Sequence, residues 1–294
     1  MSSPVWKRLA AQFSRMSADI NNTTWKRRTA LGAGFVLYTA TGWAGYRYLQ
    51  DTRYRATGET SPYRPIKGPT HEEIVKAGVV PPHDTTDVYD GLAREYDSKI
   101  NLEEITSYIW WMRRRLGKEI RGDALEVACG TGRNLRWLYP TQLRSLTLLD
   151  SSLPMLEVSK EKFDKAASKF DGKPVQFVKG HVEDLAKLTS KSQQKFDTIY
   201  ETFGLCSHED PDAALQQMAA VLKPGGRLVL LEHGRGTYES MNERMDKRAK
   251  QRAEEWGCRW NLDIRKIVTD SKLKIVEQDN YHFGTIYFYV LKKD

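Results

Sequence analysis

The ten residues LEVACGTGRN, Leu125 to Asn134, limit what this chain can fold into more than any other segment. An apolar run carrying Glu126 ends on a loop with Gly130 and Gly132, and Asn134 to Leu138 open a helical pattern. Glycines let the backbone bend where a side chain would collide, and they let a ligand lie against bare peptide groups. Strand, glycine turn and helix in that order form one unit of an alternating α/β sheet, in which ligands collect at the carboxyl ends of the strands.

A dinucleotide site also places glycines between a strand and a helix, so the loop alone does not choose a cofactor. Three further features choose. Glu126 precedes the glycines, where a carboxylate faces a cationic ammonium and would repel a pyrophosphate. The third glycine of the dinucleotide fingerprint is absent, since Arg133 and Asn134 follow Gly132. Eighteen residues after Gly132 a second apolar run, SLTLLDSS, ends on Asp150, placed to accept two ribose hydroxyls. Ammonium plus ribose without a diphosphate describes S-adenosylmethionine.

With these residues the chain resembles the class I, seven-stranded S-adenosylmethionine-dependent methyltransferases from about Asp87 onward. LKPGGRLVLLEHG (Leu222 to Gly234) resembles the family's helix end, Pro-Gly-Gly turn and fifth strand, and FDTIYETFGLCSHEDP (Phe196 to Pro211) its fourth strand and following loop. The resemblance implies an α/β, Rossmann-like sheet of order 3-2-1-4-5-7-6 with the last strand antiparallel. It also implies a cofactor site at Glu126, Ala128, Gly130, Gly132, Asp150 and Ser151, with Glu201 orienting the methionine end or satisfying a backbone donor. Two positions depart from the pattern. Ala128 stands where the family has its first glycine, and GHVEDL (Gly180 to Leu185) replaces Gly-Asp-Ala, so adenine falls to His181, Val182 or Glu183.

The pattern predicts strands at Ala124–Ala128, Leu146–Asp150, Val175–Lys179, Phe196–Glu201 and Arg227–Glu232. Helices are predicted up to Leu138, over Leu153–Phe170 and over Pro211–Leu222. A closing hairpin is expected from Leu273–Glu277 and Ile286–Val290. Helical spacing over Asp87–Lys99 and Glu103–Leu116 predicts a cap ahead of the first strand. Its Tyr89, Asp90, Tyr96 and Asp97 resemble paired Tyr-Asp elements that close over the cofactor in relatives.

At 294 residues the chain exceeds one such domain, which takes about 200. Residues 1–55 hold nine basic and two acidic residues, and the remainder holds 37 basic and 36 acidic. The near-neutral remainder argues against nucleic acid, because tracking a phosphate backbone needs a basic face on the catalytic domain. Runs such as Arg113–Arg115 read as solvated helix faces. Residues 1–28, rich in Arg, Lys, Ser and Thr, predict a mitochondrial targeting segment.

Ala30 to Tyr46 then run seventeen positions without a charge. As a helix they cover about 26 Å, close to a hydrocarbon core of about 30 Å. A transmembrane helix is therefore expected over 29–49, touching the lipid bilayer, followed by a Pro/Gly-rich tether at 50–86 and the catalytic domain at 87–294. Six cations before the span and three after it place the domain in the intermembrane space, off the mitochondrial inner membrane.

Methyl transfer from a sulfonium needs an aligned nucleophile and exclusion of water, and a base only where the acceptor carries a proton. His233, after strand five, is the first candidate base and His208 the second, with Tyr238 available to line the acceptor site. ETFG (Glu201 to Gly204) is not the Asn/Asp-Pro-Pro-aromatic sequence that holds a planar nucleobase amine. Cys129, Cys206 and Cys258 lack the spacing of a metal site, and no metal is expected. Cys129 and Cys206, each after a strand, could approach one another near the cofactor.

The tract Glu232 to Ile264, above all GCRWNLD (Gly257 to Asp263), resembles the Oms-type methyltransferase-like proteins of the fungal mitochondrial inner membrane. A looser likeness reaches membrane-anchored animal proteins that methylate small thiols. Met241, Met245 and Ala249 share a helical face that could line an acceptor pocket, touch the membrane or simply pack. The expected acceptor is small or membrane-associated. Two alternatives stand beside it, an inner-membrane assembly or scaffold protein with little catalysis and an RNA methyltransferase.

Overall fold

The computed structural model describes residues 83–190 and 194–293. The expected leader, the span at 29–49 and the tether up to residue 82 lie outside the described residues. Among the described residues no helix is long and apolar enough to cross a membrane.

Seven strands form one sheet of order β3-β2-β1-β4-β5-β7-β6. They are β1 (Gly122–Val127), β2 (Leu143–Asp150), β3 (Val175–Lys179), β4 (Phe196–Thr202), β5 (Leu222–His233), β6 (Lys274–Tyr281) and β7 (Ile286–Lys292). The first five are parallel, and β7 runs antiparallel to both β5 and β6. A parallel sheet is buried on both faces, so its strands read as nearly unbroken apolar runs. In β7, Tyr287, Tyr289 and Leu291 join the core on one face, and Phe288 and Val290 the core on the other.

The cap consists of three helices, α1 (Thr86–Leu92), α2 (Tyr96–Thr106) and α3 (Ile109–Glu119), where spacing predicts two. Tyr108, at φ 56°, ends the path of α2 because the left-handed region cannot continue a right-handed helix. The helix predicted after β1 is also corrected, to one 3-10 turn over Leu135–Trp137. Pro140 follows closely and holds Tyr139 extended (φ −107°, ψ 93°), and only a separate 3-10 turn over Pro140–Gln142 precedes β2 at Leu143, so no continuous helix fits.

The remaining helices are α4 (Leu153–Ala166), α5 (Leu185–Ser190), α6 (Pro211–Ala220), α7 (Glu239–Trp256) and α8 (Ile264–Asp270). Ser152, Asp210 and Asp263 cap α4, α6 and α8 by accepting from the N–H groups of Met155, Ala213 and Lys266. In α7, Met245, Ala249 and Ala253 are buried, so this face packs.

The solvated reading of Arg113–Arg115 holds for Arg114 alone, which is exposed while its neighbours are buried. Arg115 pairs with Glu277 and Asp279 and lies 4.2 Å from the centre of the Phe288 ring. Arg113 takes part in the site.

Candidate active site

The glycine loop leaves β1 through three left-handed residues, Ala128 (φ 48°), Gly130 (φ 52°) and Gly132 (φ 72°). At Gly132 a Cβ would meet Ser159 Oγ at 2.5 Å, which fixes the residue type there. At Gly130 a Cβ would meet nothing within 4 Å, so its bare backbone faces open space. Ala128 has the left-handed backbone that the family gives to glycine and carries a methyl group regardless.

The loop borders a cleft of about 390 Å³ beyond the carboxyl ends of the strands, within the range of small-molecule sites. Ala128, Gly130, Asp150, Ser151, His181 and Val182 all line it. The Asp150 carboxylate is already oriented, because Oδ2 accepts from Gly130 N at 2.7 Å and Oδ1 from Ser152 N at 2.9 Å. Burial pushes its pKa up despite these two donors. Ser151 Oγ accepts from Thr86 Oγ1 at 3.0 Å, which ties the start of α1 to the cleft.

Glu126 is corrected in position. It does not line the cleft but sits behind the loop, where Oε1 accepts from Asn134 Nδ2 at 2.8 Å and Oε2 from the Tyr200 hydroxyl at 2.9 Å. Burial raises its pKa to about 7. It therefore braces the loop from below. Asn134 Oδ1 in turn accepts from Arg113 Nη1 at 2.8 Å, and the same nitrogen donates to Thr202 Oγ1 at 2.8 Å.

The cap is fastened to the loop by charge. Arg133 Nη1 donates to Asp97 at 2.8 Å and its Nη2 to Glu104 at 2.7 Å, while Thr131 Oγ1 donates to Asp97 at 2.7 Å. Glu104 also accepts from Arg113 at 2.7 Å. Of the two expected Tyr-Asp pairs, Tyr89 and Tyr96 line the cleft and Asp97 serves as the fastener, whereas Asp90 does not line it. The Tyr89 hydroxyl lies 2.7 Å from Ser207 Oγ.

The two histidines exchange their expected places. His208 lines the cleft, with Nε2 at 2.5 Å from Glu201 Oε1. Burial pulls its pKa down, but the Glu201 carboxylate outweighs burial and the net shift is upward. His233 is not among the cleft residues; its Nε2 lies 3.2 Å from Cys206 Sγ and 3.1 Å from Cys258 Sγ, with Phe203 packed on the ring. A side chain pointing at two buried thiols is not placed to take a proton from an acceptor in the cleft. Cys206 thus meets Cys258, where the chain order suggests Cys129.

Glu201 is corrected too. It is fully buried, belongs to His208, and leaves the backbone donors Gly204 N and Leu205 N to Glu232, each at 3.3 Å. Burial and the neighbouring Glu201 push the Glu232 pKa well up. Tyr238, more than half exposed, packs edge-on against Phe283 and does not line the cleft.

The cleft fits S-adenosylmethionine by what it leaves unpaired. Glu183 Oε1, on the wall beside His181 and Val182, is buried without a hydrogen-bond partner, as an exocyclic adenine amine requires. Asp150 lies between that wall and the open backbone at Gly130, in the position for a ribose.

Residues 125–230 match the family described as "Methyltransferase domain". They run from the start of the loop through most of β5, and with the observed strand order they decide the family. This is a class I methyltransferase domain. Its cofactor is S-adenosylmethionine.

Among curated relatives, "Methyltransferase OMS1, mitochondrial" from Saccharomyces cerevisiae is 45% identical over 225 residues, covering 73% of this chain and 47% of that protein. "Ubiquinone/menaquinone biosynthesis C-methyltransferase UbiE" from Hahella chejuensis is 30% identical over 166 residues, 54% of this chain and 63% of the relative. The chain therefore spans less than two thirds of the length of either.

Among solved structures, the N-methyltransferase NodS from Bradyrhizobium japonicum in complex with S-adenosyl-L-homocysteine matches with a TM-score of 0.53 at 16% identity, over 72% of this chain and 99% of that one. The [4+2]-cyclase SpnF matches with a TM-score of 0.56 at 13% identity, over 74% and 98%. Both show the fold, and the second shows that the fold alone does not dictate methyl transfer.

The methyltransferase domain relies on several residues that the sequence pattern did not single out. Arg113, Glu104 and Arg133 form the buried charge network between cap and loop; the signal for the first two was charge inside helical stretches that otherwise pack, and for Arg133 a charge in the glycine loop itself. The GCRWNLD tract latches onto the loop after β4, since Arg259 N donates to Cys206 O at 3.0 Å and its guanidinium to the carbonyl of His208.

Proposed function

We propose that this chain transfers the methyl group of S-adenosylmethionine to a small or membrane-associated acceptor, anchored to the mitochondrial inner membrane by residues 29–49. The observation that carries the reading is Asp150, held by Gly130 and Ser152 at the floor of a cleft whose backbone is open at Gly130. Bound S-adenosylmethionine supplies an electrophilic methyl on a sulfonium. Asp150 accepts the ribose hydroxyls, Glu183 with His181 and Val182 receives the adenine, and Tyr89 and Tyr96 of the cap exclude water. Exclusion of water and alignment supply much of the acceleration in such a reaction.

Where the acceptor carries a proton, His208 takes it. Its Nε2 is committed to Glu201, which leaves Nδ1 as the basic atom, in the arrangement of a base oriented by a buried carboxylate. The mitochondrial relative supports the location, and relatives named for C-methylation in ubiquinone and menaquinone biosynthesis support a small organic acceptor. The acidic and basic residues beyond residue 55 nearly balance, which supports neither RNA nor DNA as acceptor.

The test is incubation of the purified full-length chain with methyl-labelled S-adenosylmethionine and a mitochondrial membrane extract. Label in a small organic-soluble product supports the reading. Label in RNA supports the RNA alternative, and cofactor binding with no transfer supports the scaffold alternative.

A further inference from the structure

We infer that Cys206, His233 and Cys258 form a binding site for a soft, thiophilic metal ion of the zinc(II) or copper(I) type, behind the wall of the cleft. The three ligand atoms come from three segments, the loop after β4, the end of β5 and the loop after α7, and all lie within 4.8 Å of one another. Both cysteines are buried, at 1% and 5% exposure.

Two sulfurs converge on one imidazole nitrogen, which is the arrangement of a ligand set. A neutral imidazole nitrogen either donates one hydrogen or accepts one through a single lone pair. Here one nitrogen has a sulfur at 3.2 Å and another at 3.1 Å, so it can bond only one thiol well, and the Cys206 thiol has Phe203 O at 3.6 Å and Ser207 Oγ at 3.5 Å as its other partners. One metal ion engages all three groups at once, because both sulfurs and the nitrogen then direct lone pairs at the same centre. Metal–sulfur bonds of about 2.3 Å and metal–nitrogen bonds of about 2.0–2.1 Å at tetrahedral angles set such donors about 3.5–3.8 Å apart. Two thiolates and an imidazole form a donor set that selects soft ions.

Binding is balanced in protons and charge. Each thiol loses one proton as its sulfur bonds to the ion, and imidazole Nε2 enters through its lone pair, with its proton on Nδ1. Two thiolates neutralise a divalent ion. Arg259 supports the arrangement, since its N–H donates to the carbonyl of Cys206 at 3.0 Å while its own position follows Cys258, so the two cysteine loops are already joined. Cys206 is followed directly by Ser207 and His208 of the cleft, so an ion here pins the segment that carries the candidate base. The role is structural and does not depend on the identity of the methyl acceptor.

The full-length chain, expressed with zinc in the medium and dialysed without chelator, is analysed for metals by mass spectrometry. About one equivalent of zinc or copper per chain is expected, in line with a single three-ligand site. Occupancy should fall at least about tenfold in Cys206→Ala and in Cys258→Ala. Because loss of a buried side chain can itself unfold the chain, cobalt(II) is also titrated into chelator-stripped wild-type protein. Thiolate-to-metal charge transfer with the intense visible bands of tetrahedral cobalt is expected. Absence of both retained metal and a cobalt–thiolate spectrum overturns the site. So does a denatured, alkylated chain that carries one adduct in place of three, which reports a Cys206–Cys258 disulfide, and so does a cobalt spectrum unchanged in a folded Cys258→Ala.

Discussion

Replacing His208 by alanine separates structure from chemistry in the cleft. The imidazole is the partner of Glu201 Oε1, and Glu201 Oε2 is already buried without one. His208→Ala leaves a fully buried carboxylate with neither oxygen paired. Removing one partner of a buried pair costs about 3–5 kcal/mol. The His208 side chain is 12% exposed, so some water reaches the gap and the lower end, about 3 kcal/mol, applies. For a domain of 150–250 residues each kcal/mol moves the midpoint by about 2–4 °C, so Tm should fall by about 6–12 °C.

The effect has a signed pH dependence. Glu201 raises the folded pKa of His208 above its ordinary value despite burial. Its stabilisation is therefore complete below about pH 6.5, the unfolded value, and is lost as pH rises through the folded value. Differential scanning fluorimetry of both proteins from about pH 6 to about pH 9 should show the gap in Tm narrowing toward alkali. His208→Gln keeps a donor to Glu201 and should lose only about 1 kcal/mol, while slowing any transfer that needs a base. Equal Tm values at the acid end, or a gap that widens with pH, would refute the pairing.

Asp150→Ala removes charge-assisted hydrogen bonds to the ribose worth about 1.5–3 kcal/mol each, so affinity for S-adenosylmethionine should weaken by about 100-fold or more in isothermal titration; a change under about threefold would contradict the assigned contact. Ala128→Gly relieves a left-handed alanine costing about 1–2 kcal/mol, offset by about 0.5–1 kcal/mol of glycine entropy. Tm should hold or rise, and a clear fall would show that the alanine methyl packs usefully. Arg133→Gln frees the cap from the loop by removing its ion pairs to Asp97 and Glu104. It should raise KM for the cofactor and speed proteolysis around α2, and unchanged digestion would remove Arg133 from the fastening role.

Much of the fold could be read in advance because a doubly covered parallel sheet writes its strands as apolar runs. β3 (Val175–Lys179) was placed to the residue, and the reversed final hairpin followed from the family resemblance, with β6 running on to Tyr281 beyond the expected Glu277. The helix after the glycine loop was not legible, since Leu135 to Leu138 keep a helical apolar pattern that Pro140 and the nearby start of β2 leave no room to extend. In the site, Asp150, Ser151, Gly130 and the His181–Val182 wall were found where expected, because strand ends and loops follow the fold directly. Glu126, Glu201 and His233 were found on the right elements but turned elsewhere. Their partners, Asn134, His208 and the pair Cys206 and Cys258, come from other segments, and no spacing along the chain reports which way a side chain faces. Arg113 and Arg115 show the same limit, being charged residues that are buried because acids meet them, Glu104 of the neighbouring cap helix for the first and Glu277 and Asp279 of β6 for the second.

The reading turns on whether a methyl group leaves the donor. The full-length protein is given methyl-labelled S-adenosylmethionine with a mitochondrial lipid and small-molecule extract, beside Asp150→Ala and His208→Gln. Transfer of label into an organic-soluble product, lost in Asp150→Ala and slowed in His208→Gln, is the expected result. Tight binding of the donor by the wild-type protein with no label leaving it, in the presence of the complete extract, would contradict enzymatic methyl transfer by this cleft.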